Sequence, residues 1–183
     1  MLGLILSVVI LNEAEGKVAI LSGFYWPTYS PVISTAEISV VEIEFELKEE
    51  KVVWHAVESG WYLSRYSTFM SSNYYTFDHF VSDLKEAYSI LQSGKLSKYW
   101  REYGGRIILK DLSYHVDDEY GKEYFGWTFS FINLGKKYEP KWQICLDLVI
   151  PTPDIYGRIR GESFVVYLDE KDIEKFLKKI EEK

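Results

Sequence analysis

Cysteine is nearly missing from this chain: its 183 residues hold one, Cys145. No internal disulfide can form, and a lone thiol in a chain of this length suits a reducing compartment. Cationic charge is also short, with 21 Lys and Arg against 28 Asp and Glu, a net charge of −7. Phosphate backbones are bound by neutralising them, so this balance argues against nucleic acid as a partner. The most apolar stretch, MLGLILSVVIL at the start, is too short to span a bilayer. It lacks the basic flank and small-residue cleavage site of a signal peptide, and a first strand is the expectation, with no membrane association. No P-loop, dinucleotide glycine fingerprint, HExxH or GxSxG motif occurs. No cofactor is expected, and enzymatic activity has little support.

The amino acids that are present are those of a packed core. Hydrophobic residues make up 47% and aromatics 17%, which excludes a disordered or collagen-like chain and favours sheet packing. The length fits a single domain over 1–183, with a weak sub-boundary near 70–76 at the polar SSNYY. Lys and Glu dominate the charges and Gln occurs twice, a balance met in proteins from hot environments. A cytoplasmic location is the expectation, from the lone thiol and the missing signal-peptide features of the opening stretch.

Residues 2–12 and 17–24 are apolar runs joined by NEAEG and read as a hairpin. From Val41 the chain alternates strictly, with Val41, Ile43, Phe45 and Leu47 on one face and Glu42, Glu44, Glu46 and Lys48 on the other. That pattern is a half-exposed strand, and KVVWHAV and WYLSRYS extend it into a meander. Over 76–93 the period becomes helical: Phe77, Phe80, Val81, Leu84, Tyr88 and Leu91 share a stripe, with Thr76 as candidate N-cap and Gly94 as stop. Four strands follow near 106–116, 123–133, 141–150 and 158–168. In the second, Phe125, Trp127, Phe129 and Phe131 alternate with small residues. Asp169 caps a last amphipathic helix over 170–182, buried through Ile173, Phe176, Leu177 and Ile180. The prediction is an α+β fold, a mostly antiparallel twisted sheet of about eight or nine strands with a central and a C-terminal helix.

FYWPTYSP, residues 24–31, poses the functional question. Its prolines exclude a central strand, and Tyr25, Trp26 and Tyr29, joined by Tyr62 and Tyr74, could form a recognition surface, because rings bury area at little entropic cost. The alternative is that proline-fixed rings close the end of a sheet. His115, Asp117 and Asp118 are the densest potential metal ligands, but VDDEYGK sits between strands, where Asp and Gly form turns. Cys145 has no neighbouring His in sequence to activate it and reads as a structural thiol. His55 and His79 have no second His at metal-ligand spacing. The basic residues of 100–160, Arg106, Arg158 and Arg160 among them, read as solvated strand edges.

The order FDHFVSDLKEAYSILQSGKL, paired strands, then FVVYLDEKDIEKFLKKIEE resembles the WapI-like immunity family of contact-dependent toxin systems. The resemblance covers residues 75–183 and implies a non-catalytic binder that neutralises a partner protein, with no catalytic residue carried over. The expected function is therefore non-covalent recognition of a partner protein, with the acidic strand as an electrostatic rim. A small-molecule enzyme or carrier using a pocket between sheet and helix, near His115, Asp117 or Cys145, is one alternative, and a homo-oligomer paired through the first hairpin is the other.

Overall fold

The strict alternation around Phe45 is the simplest place to see why this chain makes a sheet. Ile43, Phe45 and Leu47 are buried while Glu42, Glu44 and Glu46 between them stay half-exposed, so one face of the strand has lost its water and the other has not. The computed structural model describes residues 17–25, 39–48, 51–59, 64–66, 70–99, 105–117, 119–136 and 139–182. Nine strands, two α-helices and a short 3-10 turn at Lys95–Lys98 lie within them. The strands are β1 (Lys17–Tyr25), β2 (Ser39–Leu47), β3 (Val52–Ser59), β4 (Ser64–Tyr66), β5 (Met70–Ser72), β6 (Arg106–Asp117), β7 (Glu123–Asn133), β8 (Trp142–Pro153) and β9 (Ile159–Leu168). The helices are α1 (Tyr74–Gln92) and α2 (Glu170–Glu181).

All pairings are antiparallel, and the spatial order is β4-β3-β2-β1-β9-β8-β7-β6, with β5 also on β3. The α+β architecture expected from the sequence is thus the one found. Of the first hairpin, residues 17–24 lie in β1, whereas 2–12 fall outside the described residues. The chain leaves the first half of the sheet at Ser72 and makes α1 before it builds the second half. Among the described residues the two halves meet along three pairs: Gly23 with Leu168, Phe24 with Tyr167 and Tyr25 with Val166. A Cβ on Gly23 would fall on Val166 Cγ1 and lie 2.9 Å from the Tyr167 carbonyl oxygen. Glycine is required there by close approach.

Accumulated twist makes the sheet more than a flat layer. Trp54 of β3 and Trp127 of β7 are five strands apart, roughly 24 Å in a flat sheet at about 4.8 Å per strand. Their rings instead lie 6.0 Å apart, nearly parallel, and Trp54 meets Phe125 edge-on at 5.2 Å. The sheet has therefore rolled around its aromatic face. Helix α1 enters that trough with Phe77 and Phe80, both within 5.3 Å of Phe45. Phe80 also reaches Trp127 and Phe129 at 5.4 Å, and Phe176 of α2 meets Phe45 at 5.1 Å. Rings from both halves and both helices share one cluster, each close pair adding about 0.5–1.5 kcal/mol beyond its buried area.

The helix ends test the capping expectations. Asp169 caps α2, accepting from the Lys171 N–H at 2.8 Å. Gly94 follows α1 in the left-handed region, φ +67°. The N-cap of α1, however, is Asn73 and not Thr76: Asn73 Oδ1 accepts from the Thr76 N–H at 3.0 Å, so the helix starts earlier, at Tyr74. Asn satisfies the free N–H groups of a first turn as well as Thr does, and the helical stripe alone did not reveal which polar residue would do so. Side chains then tie α1 to α2, from Tyr88 to Glu174 at 2.6 Å, Gln92 to Glu170 at 2.7 Å and Lys85 to Glu181 at 2.8 Å. No helix among the described residues is long and apolar enough to cross a membrane.

Candidate functional site

Three groups of side chains could carry chemistry or recognition, and they lie in different places. The first is inside. Asp83 of α1, 5% exposed, accepts a hydrogen bond from the Trp127 indole at 2.8 Å, while its other oxygen stands 3.5 Å from His79 Nε2. Tyr114 and Trp127 meet the His79 ring edge-on. His79 and Asp83 are four residues apart on one helix, a spacing that places them on the same face and was readable from the sequence.

The second group crosses the outer face, away from the helices. Arg106, on β6, lies over β7 to hydrogen-bond Ser130 Oγ at 2.6 Å and pairs with Asp147 of β8. Burial works against its charge, but the hydrogen bond and charge of Asp147 outweigh that and raise its pKa. Cys145 is fully buried on the same face, opposite Ser130 and Tyr167 in the ladders. Burial pushes its thiol up to about 11, which leaves it protonated and unreactive at neutral pH. The structural reading of Cys145 is the one the geometry matches. His115 is also on the outer face, opposite Gly126. Its Nδ1 is shared with Glu123 Oε1, and Nε2 stands 3.2 Å from Thr128 Oγ1. Neither residue borders the space between sheet and helices, which the rings described above fill.

Among the residues expected to bind, Trp26, Tyr29 and Tyr62 and the ligand candidate Asp118 lie outside the described residues. Tyr25 is in β1, paired with Ser39 and Val166. Tyr74 packs against the core, and its hydroxyl donates to the Lys48 carbonyl, so it ties α1 to the end of β2. Asp117 closes β6 opposite Glu123. No group of three His, Cys, Asp or Glu that could hold a metal ion occurs among the described residues.

The third group is the one that faces out. Beyond the pair Gly126–Val149, β7 parts from β8 and the backbone of Glu123 and Tyr124 crosses to Gly161 of β9. A Cβ on Gly161 would fall on the Glu123 carbonyl and stand 2.7 Å from Val149 Cγ1, so only glycine admits the crossing. Between the β6–β7 turn and the start of β9 lies a groove of about 860 Å³, lined by Tyr120, Lys122, Tyr124, Arg158, Ile159 and Arg160 among others. Large apolar side chains are exposed on the two turns, Tyr120 by 79%, Ile155 by 91% and Tyr156 by 75%, and at the first residue of β9, Ile159 by 58%.

Asp154 organises one wall. Its Oδ1 accepts from the N–H groups of Tyr156 and Arg158, at 2.8 and 3.0 Å, and closes the β8–β9 turn. Its Oδ2 takes Arg158 Nε at 3.0 Å and Arg160 Nε at 3.3 Å. Burial works to raise the Asp154 pKa, yet the backbone donors of Arg158 and Tyr156 and the Arg158 guanidinium outweigh it and hold the carboxyl below its ordinary value. The guanidinium of Arg158 also lies 5.1 Å from the centre of the Tyr156 ring. Arg158 and Arg160 are therefore held in place and not merely solvated at a strand edge. The sequence signal was a glycine inside a strand pattern, Gly161, beside an Asp-x-x-Gly turn.

No protein-family model matches this chain, and neither the curated proteins nor the solved structures include a match to it.

Proposed function

We propose that this protein works by non-covalent recognition of a partner protein, and that the groove between its two hairpin tips is the contact. One observation carries the reading: four large apolar side chains stand exposed at the two hairpin tips, and two of them, Tyr120 and Ile159, line a groove whose arginines are already oriented. Isolated exposed apolar residues are ordinary on a surface, but a cluster rimmed by charge is the usual form of an interaction site. Tyrosine and arginine are also the residue types that dominate interface energetics. The WapI-like resemblance of residues 75–183 agrees with a binder, since those residues build every wall of the groove. The half-exposed row Glu42, Glu44 and Glu46 is on the other half of the sheet and serves as the internal control.

Capture from a lysate of the source cells tests the proposal, with three baits: the unmodified protein, Tyr120→Ser with Ile159→Ser, and Glu42→Ser with Glu44→Ser. A specific partner should be retained by the first and third baits and lost from the second. Retention by the second bait sinks the reading, and loss from the third alone moves the contact to the acidic row.

A further inference from the structure

We propose that the groove takes an acidic segment of the partner, its carboxylates seated on Arg158 and Arg160 and an apolar residue against Tyr120 and Ile159. The inference deepens the recognition reading above and depends on it. Two guanidiniums share the single carboxylate of Asp154, so that wall carries one uncompensated positive charge. Asp154 engages both through Nε, the inner nitrogen of the fork, which fixes the direction of each side chain. A guanidinium fixed in this way loses less conformational freedom on binding, and its planar donor pair fits a carboxylate with two hydrogen bonds.

Lys122, Glu119 and Glu123 also line the groove. Glu123 is held by His115 on the neighbouring strand, so acids as well as arginines bound the site. A polyphosphate or nucleic-acid strand would have to approach a chain of net charge −7 past Glu119 and Glu123. A short acidic peptide needs only the local cations and gains the exposed rings and isoleucine besides. The net charge of −7 then favours selectivity, because it weakens non-specific attraction of acidic partners to the rest of the chain.

The test is a random, unphosphorylated peptide library selected on the intact protein, followed by fluorescence anisotropy of enriched peptides. Peptides combining Asp or Glu with a bulky apolar residue should be enriched. Their affinity should fall about tenfold or more for Arg158→Ser with Arg160→Ser, and should weaken as salt is raised. The Tyr120→Ser variant leaves the Asp154 turn intact and should weaken the same peptides, so a loss caused by a disturbed turn is told apart from a loss of contact. Enrichment of basic or neutral peptides, or equal affinity for the double arginine variant, overturns the acidic assignment while recognition stands. No enrichment, or peptides indifferent to both the arginine and Tyr120 changes, overturns the recognition site itself.

Discussion

Along β1 and β2 nine consecutive residues pair without a slip, whereas β6 breaks register with β7 twice, between Ile108 and Ser113 and between Val116 and Asp117. Both halves of the sheet bury an aromatic ladder on the inner face, so the inner face does not explain the difference. The outer face does. In the first half it carries half-exposed glutamates that stay in water, and a regular ladder suffices. In the second half it buries Cys145 and Ser130, carries an Arg–Asp pair, and bends one hairpin across to β9. Bulges and glycine are what permit that bend, and the groove is its product.

The comparison raises the question of what holds the halves together, the three-pair seam or the helices that cross it. If the helices do, Phe45→Ala is the most damaging single change, because Phe45 belongs to the first half yet touches both helices. A loss of about 3–5 kcal/mol is expected in urea unfolding, the usual cost of removing a buried ring. Gly23→Ala attacks the seam alone and should cost less, about 1–3 kcal/mol, as Val166 and Leu168 give way. The reverse order would make the seam the principal joint.

Gly161→Ala probes the bend. Its Cβ meets the Glu123 carbonyl and Val149, so the β6–β7 turn must move; a cost of about 1–3 kcal/mol is expected. Partner binding should fall by more than that stability loss explains, which can be checked by comparing affinity with the Gly23→Ala protein at matched stability. Equal affinities would show that the groove does not need the bend.

How the halves open can be followed at Cys145. Its buried thiol, pushed up to about 11, should resist an aromatic disulfide reagent at pH 8. It should react only as fast as the whole protein unfolds. Labelling that runs ahead of global unfolding in mild denaturant would mean that the second half opens by itself.

These contrasts also separate what the sequence could show from what it could not. Period two around Phe45 and Phe125, and the stripe from Phe77 to Leu84, report burial of one face, a property local to each segment. Most elements and the inner ladders were legible for that reason, whereas the short strand β5 was not. The meeting of Trp54 with Trp127 was not, because it depends on twist summed over five strands. The groove was hidden likewise: Arg158 and Arg160 read as a strand edge until Gly161 brings the β6–β7 hairpin beside them. The rings of FYWPTYSP drew attention through composition, whereas Tyr120, Ile155 and Tyr156 are scattered through two turns and draw none.

The smallest effect belongs to the tie between the helices. The Tyr88 hydroxyl donates to Glu174, and this bond, with burial and the nearby charges of Glu174 and Glu170 adding to it, pushes the phenol up to about 12 from its ordinary 10. A raised folded-state pKa means that the protonated form is the stabilising one. Its contribution is complete below pH 10 and is lost as the pH climbs from 10 to 12. The pair is exposed and screened, so Tyr88→Phe should lower stability by only about 0.5 kcal/mol at neutral pH. The gap between the two proteins should close above pH 12, when the bond is gone from both. Unfolding curves at a series of alkaline pH values check this, and a gap that persists would show that Tyr88 acts by packing against the core and not through Glu174. In that case Tyr88 itself joins the helices by apolar contact alone, and Phe45, which touches both, carries still more of the link between the two halves.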